Sequence, residues 1–264
     1  MSKKIVYFDI DGTIYDFQNG ILEDTKKAIC QILETGNYVC LCSGRSRSRI
    51  YDDVFMDFGI QGIIAAGGAY VEWQGDVLEN HVISPQLADY AVEVLRKNRL
   101  VPVLDGPRYL YYDEGEYTVQ VDYYQELIEE KLGKKRRSIT GNYGNMEVNK
   151  ISAKKVDGFQ EKAAIEALKP WFRAIVHEGI TIEFVPHGYS KGKAAKQLAE
   201  RLGISIQDTY GFGDSMNDIE LISQVGHGVA MGSSVERLKE EAEFITKTRL
   251  DGGIRYALEQ YGLI

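Results

Sequence analysis

The chain has 264 residues, 44% of them hydrophobic and 27% charged, with a formal net charge of −8. That balance describes a globular protein with a proper core, long enough for one large domain or two ordinary ones. The acidic charge argues against a broad nucleic-acid or anionic-membrane surface, yet one local cationic pocket is enough to take a small phosphorylated metabolite. No apolar run is long enough to span a bilayer. The opening MSKKIVYFDIDGT enters a core strand at once and leaves no room for a cleaved signal. The cysteines Cys30, Cys40 and Cys42 lack metal-ligand spacing, and their odd number makes a poor disulfide framework. A cytoplasmic protein is the simplest expectation; the oligomeric state is not legible.

In chain order, Ile5 to Phe8 is a short β-branched and aromatic run that stops at Asp-Ile-Asp-Gly-Thr, the pattern of a buried strand followed by a polar loop. Glu23 to Thr35 carries Ala28, Ile29, Ile32 and Leu33 on one helical face and ends at Gly36. Val39 to Cys42 is a second strand, ending in Ser43-Gly44-Arg45, and Gly62 to Ala66 a third, ending in Gly67-Gly68. Strands alternating with helices, each strand running to a polar tip, predict a parallel α/β sheet.

The pattern changes after about residue 82. Pro85 to Asn98 reads as an amphipathic helix, followed by short strands rich in tyrosine (Tyr109, Tyr111, Tyr112, Tyr117, Tyr123, Tyr124). A helix over Gly158 to Lys169 and the alternation Ile180, Ile182, Phe184 complete a helix-on-antiparallel-sheet module. The parallel pattern resumes with Ser190 capping a helix over Lys191 to Leu202, then strands at Thr209 to Phe212, Gly228 to Met231 and Phe244 to Thr246. The expected division is a Rossmann-like core over 1–81 and 187–264, with an inserted α+β cap over 82–186.

Asp9 and Asp11 lie two residues apart where the first strand ends, so strand periodicity turns both carboxylates toward one point beyond the sheet. Carboxylates this close repel, and a cation is expected beside them. Gly12 permits the sharp turn and Thr13 can hold the loop. Gly213-Asp214-Ser215-Met216-Asn217-Asp218 is a second acidic tip, where Asp214 completes an oxygen-ligand set suited to Mg²⁺. Asp218 can either orient Lys191 or support the metal site, or be purely structural. Lys191, at a helix start already favourable to anions, suits a phosphoryl group gathering negative charge. Ser43 and the Gly44 amide offer hydrogen bonds to another phosphoryl oxygen. Together these tips point to phosphoryl transfer, in which positioning and charge neutralisation dominate.

DxDGT at 9–13, the strand-end Ser43, Lys191 in SKGKA and GDSMND at 213–218, in that order, resemble the haloacid dehalogenase superfamily over the whole chain. The insert between serine and lysine resembles the α/β cap of its Cof-like, type IIB members. The resemblance implies an Asp9 nucleophile and Asp11 as general acid/base, with Ser43 and Lys191 holding the phosphoryl group. It further implies Mg²⁺ on Asp9, the Asp11 backbone carbonyl and Asp214, with Asp218 close by and Asn217 lining the phosphate side. Dehalogenases of the superfamily lack the second aspartate, so Asp11 points to a phosphatase, with a small sugar phosphate as substrate and closure of the cap excluding water. Alternatives on the same scaffold are a phosphosugar mutase and a non-catalytic sensor of a phosphometabolite. Two positions depart from the family pattern: Gly67-Gly68 stands where Asn-Gly is frequent, and Ser43-Gly44-Arg45-Ser46 where Ser-Gly-Arg-Pro is. Other features have plain readings. The basic run Lys131, Lys134, Lys135, Arg136, Arg137 reads as a solvated cap surface, and packing accounts for most of the tyrosines against a sugar- or ring-stacking wall. The scattered His81, His177, His187 and His227 show no zinc spacing, His187 reading as a loop histidine ahead of a pocket-facing one.

Overall fold

The computed structural model describes residues 2–116, 133–177 and 181–264. Tyr117, Tyr123, Tyr124, Lys131 and Ile180 lie outside the described residues. The chain divides into two compact units, one of 1–44, 51–78 and 189–264, the other of 45–50 and 79–188.

The first unit is built on an eight-stranded sheet. Its order runs Phe244–Ile245, His227–Ala230, Thr209–Gly213, Ile5–Phe8, Tyr38–Cys42, Gly62–Ala65, Tyr70–Trp73 and Asp76–Asn80. The first six are mutually parallel, and Tyr70–Trp73 turns back antiparallel to Gly62–Ala65. Ile5–Phe8 is wholly buried, as a strand covered on both faces has to be. On one face Ile5, Tyr7, Cys40, Cys42 and Ile64 pack with Ala194, Ala195 and Leu198 of the helix Lys191–Arg201. The buried Tyr7 hydroxyl donates to the Ala195 carbonyl at 2.7 Å. Cys40 and Cys42 behave as small hydrophobes whose thiols burial pushes well above their ordinary range.

The strand order sets the site. Ile5–Phe8 is central: later strands are laid down first on one side of it, then, from Thr209 onward, on the other. Such a reversal opens a crevice beyond the carboxyl ends of the strands on either side. Asp9, Ser43 and Asp214 each follow directly on strands that meet there.

The second unit has a six-stranded sheet in the order Arg136–Arg137, Leu110–Tyr111, Leu100–Asp105, Lys150–Lys155, Thr181–Pro186, Phe172–Val176. The helices Pro85–Lys97 and Glu161–Leu168 pack Ala88, Ala91, Leu95, Ala164 and Leu168 with Leu104, Ile151, Ile182 and Phe184 in one core. Strand alternation sends Asp105, Lys150, Ser152 and Glu183 to the other face. There Lys150 Nζ lies 2.9 Å from Glu183 and Ser152 Oγ donates to Asp105 at 2.7 Å. Burial pushes Glu183 up, but Lys150 and His177 outweigh it and hold the carboxyl below the usual range. Arg45–Ile50 groups with this unit because Ser48 Oγ donates to the Gly106 carbonyl at 2.9 Å and Arg49 lies 3.5 Å from Asp105. No described helix is long and apolar enough to cross a membrane.

Packing around the helix Lys191–Arg201 leaves no room at Gly192, where a Cβ would come within 2.1 Å of the Glu220 carbonyl oxygen. Gly192→Ala is expected to destabilise the protein by about 1–3 kcal/mol, the usual cost of overpacking, read as a lower urea midpoint at unchanged slope.

Candidate active site

Lys191 organises the site. Ser190 caps its helix, the hydroxyl accepting from Lys193 N at 3.1 Å, and this sets the lysine at the first helical position. From there Nζ donates to Asp9 Oδ1 at 2.6 Å, Asp218 Oδ1 at 2.6 Å and Asn217 Oδ1 at 3.0 Å. All three ammonium protons are therefore used. Lys191 is 1% exposed, Asp9 4% and Asp218 0%, so the charges are desolvated and held by each other.

Asp218 is bound through both oxygens. Oδ1 takes Lys191, while Oδ2 accepts the backbone amides of Asp214 and Ser215, each at 3.1 Å, in a capping box with Ser215. The acidic tip at 213–218 is thereby folded into a tight turn. Gly213 is obligatory there, since a Cβ would approach Asp218 Cβ to 2.5 Å.

Asp214 is fixed from the other strand end. Thr13 Oγ1 donates to Asp214 Oδ1 at 3.3 Å, and Gly12, at φ +81°, passes so close that a Cβ would lie 2.3 Å from Asp214 Oδ2. The glycine thus serves both the turn and the close approach. Asp11 is half-buried and bridges Tyr15 through its backbone.

Ser43 is buried; its amide donates to the Ile64 carbonyl at 2.8 Å and its carbonyl accepts from Gly67 N at 3.1 Å. Ala66, Gly67 and Gly68 run through three successive left-handed conformations at φ +52°, +64° and +98°. A Cβ on Gly68 would meet the Ser190 carbonyl oxygen at 2.2 Å. The second glycine of the Gly67-Gly68 departure is thus fixed by the start of the lysine helix. Arg45 is buried with Nη1 donating to the Arg49 carbonyl at 3.3 Å, within the second unit.

Carboxylate oxygens of Asp9, Asp214 and Asp218 lie within 4.8 Å of one another. Three carboxylates against one ammonium leave excess negative charge in a dry site. Burial pushes Asp9 well up; Lys191 opposes this, while Asp218, Asp214 and Asp11 add to it. Burial and then Asp218 raise Asp214 to about 7, against Lys191 and the Thr13 hydrogen bond. Burial alone would lower Lys191, but Asp218 and Asp9 more than reverse it and keep it charged.

Of the residues predicted from sequence, the structure brings Asp9, Lys191, Asn217, Asp218 and Asp214 into one bonded cluster, and puts Asp11, Ser43 and Gly44 on the neighbouring strand-end loops. Other predicted features have partners of their own. His227 lies 3.1 Å from Glu243 and His187 lies against the Lys169 carbonyl. Tyr111 belongs to the second unit's core, and Arg136 pairs with Glu114.

The description "haloacid dehalogenase-like hydrolase" fits residues 6–258. The chain is 32% identical over 277 residues to YkrA of Bacillus subtilis (strain 168), with all of both chains covered. It is 28% identical to the 5-amino-6-(5-phospho-D-ribitylamino)uracil phosphatase YwtE of the same organism, over 97% of each chain. Identity to the phosphoglycolate phosphatase of Archaeoglobus fulgidus is also 28%, over 99% of this chain and 98% of that one. A crystal structure of a Geobacillus kaustophilus HTA426 protein superposes with a TM-score of 0.80 at 29% identity, covering 99% and 100% of the two chains. The structure of the subclass IIB sugar phosphatase BT4131 gives 0.81 at 22% identity over 99% and 100%, a likeness of fold. The chain belongs to the haloacid dehalogenase-like hydrolases and is a phosphatase.

The raised Asp214 group has a measurable consequence. Its unfolded counterpart ionises near 3.9, so between there and about 7 the folded chain holds the extra proton. Stability without metal is therefore present at low pH and falls as pH rises through that window. Urea unfolding in EDTA should show a lower midpoint at pH 8 than at pH 6, at the same slope.

Proposed function

We propose that this phosphatase hydrolyses a small phosphate monoester, a sugar phosphate being the class favoured, through a phospho-aspartyl intermediate on Asp9 with Mg²⁺ as cofactor. The supporting observation is the buried cluster in which Lys191 bonds Asp9 and Asp218 beside Asp214. Two relatives named for small aliphatic phosphate esters support the substrate class.

The donor set fits a hard divalent cation. It is all oxygen and carries excess negative charge, and Asp214 holds a proton near neutrality where no cation replaces it. Asp9, Asp214 and the Asp11 carbonyl would hold Mg²⁺. Asp218, with both oxygens engaged, serves it by orienting Lys191 and the turn. When bound, the cation supplies charge neutralisation at the phosphoryl oxygens.

In the reaction, an Asp9 oxygen forms a bond to phosphorus as the bond to the leaving alkoxide breaks. Asp11 gives its proton to that alkoxide. Asp11 then takes a proton from water, whose oxygen attacks the aspartyl phosphate, releasing inorganic phosphate and restoring the Asp9 carboxylate. Lys191 holds Asp9 in line and offsets charge on the phosphoryl group, while the Ser43 hydroxyl and Gly44 amide take another of its oxygens. Asn217 keeps the lysine on the phosphate side.

Asp9→Asn is expected to abolish phosphate release from a panel of sugar phosphates while leaving the circular dichroism spectrum unchanged; turnover retained in that variant overturns the mechanism. Mg²⁺ should raise the wild-type melting temperature, and more at pH 8 than at pH 5, because at the lower pH it competes with the proton on Asp214. An equal rise at both values removes Asp214 from the ligand set.

A further inference from the structure

We infer that Arg249, distant in sequence from every motif, is a positioning residue for Asp11, acting through the hairpin that follows it; the inference rests on the acid/base role proposed above for Asp11. The hairpin pairs Tyr15–Asp16 with Gly20–Ile21, Tyr15 opposite Ile21 and Asp16 opposite Gly20. It is continuous with the Asp11 loop. Gly12 N donates to the Tyr15 carbonyl at 2.9 Å, and the amides of Ile14 and Tyr15 donate to the Ile10 carbonyl at 3.1 and 2.9 Å. Asp11 itself bridges Tyr15. A rotation of the hairpin is therefore a rotation of the backbone that aims the Asp11 carboxyl.

Strands of two residues do not hold such a hairpin in place by themselves. Asp16 closes its turn, Oδ1 accepting from Gln18 N at 2.8 Å and Asn19 N at 2.7 Å. The other carboxylate oxygen of Asp16 pairs with Arg249, whose Nη1 also donates to the Gly20 carbonyl at 3.4 Å. One guanidinium thus grips both members of a facing residue pair, the fork geometry that arginine offers and lysine lacks.

Arg249 is only 5% exposed, and the turn that carries it is braced. Thr248 accepts from Gly253 N at 3.0 Å, and the Lys247 carbonyl accepts from Gly232 N at 3.1 Å. Gly232 follows Met231, whose amide donates to the Gly213 carbonyl at 3.0 Å. The clamp is therefore referenced to the strand end that carries Asp214, and it holds the Asp11 loop against that fixed point. With Asp16 half-exposed, the ion pair contributes little net stability. Its value here is geometric.

The test is made on the Mg²⁺-loaded enzyme with Arg249→Met, Arg249→Lys and Asp16→Asn, using a hexose phosphate and p-nitrophenyl phosphate. An alkoxide needs a proton to leave, whereas p-nitrophenolate leaves without one. Arg249→Met should lower kcat on the hexose phosphate by about tenfold to a hundredfold, with KM within about twofold. Single-turnover release of p-nitrophenolate should fall by much less. Arg249→Lys should restore part of the loss, and Arg249→Met should cost nothing further in an Asp11→Asn background. If Arg249→Met fails to fold, Asp16→Asn carries the same expectation. Equal losses for both leaving groups, a full extra loss in the Asp11→Asn background, or no loss at all overturns the inference. A wild-type enzyme that releases phosphate while these patterns fail refutes the role of Arg249 alone. A wild-type enzyme releasing none refutes the reading beneath it as well.

Discussion

The salt bridges of Lys191 to Asp9 and Asp218 are the constraint on which the site depends. An isolated ammonium or carboxylate at this depth would be neutralised or driven to the surface. Here one cation satisfies two anions, and both sides accept burial only because the partner is present. The arrangement joins three chain segments, the first strand end, the lysine helix and the acidic turn, through one nitrogen atom. Removing the lysine would leave facing carboxylates whose repulsion opens the turn at 213–218.

The bridge is also incomplete as charge balance. One ammonium cannot neutralise Asp9, Asp214 and Asp218 together, and the remainder shows in the raised Asp9 and Asp214 groups. The protein thus tolerates an electrostatically strained site of the kind that a divalent cation would relieve. Glycines allow the crowding: at 12 and 213 the carboxylates themselves fill the space that a Cβ would take.

Much of this was legible in the sequence, for a physical reason. Parallel strands buried on both faces appear as short apolar runs, and each polar break marks the strand end where a ligand site lies. Asp9, Ser43 and Asp214 could be found that way, and Lys191 by its cap. The strand Lys150–Lys155 could not. KISAKK has little strand character, and in its central place in the sheet the buried Lys150 pairs with Glu183 and lies 3.9 Å from Asp105, both on neighbouring strands. The hairpin of Tyr70–Trp73 and Asp76–Asn80 escaped because its outer strand is mostly exposed. The pairing of Arg249 with Asp16 has no local signature, since each residue alone reads as an ordinary surface charge.

The register that sets residue 5 against residue 209 governs how the molecule comes into being. During synthesis the segment with Asp9 and Asp11 emerges first, yet its central strand lacks a neighbour on one side until Thr209–Gly213 has been made. The intervening block of 79–188 groups with 45–50 as a compact unit and can condense earlier, whereas the parallel pairing of residue 5 with residue 209 closes a loop of most of the chain and is intrinsically slow. An unfinished chain carries Asp9 with neither Lys191 nor Asp214 beside it. The buried cluster is thereby incomplete until translation has passed the acidic turn, and until then the apolar first strand lacks its partner at 209–212.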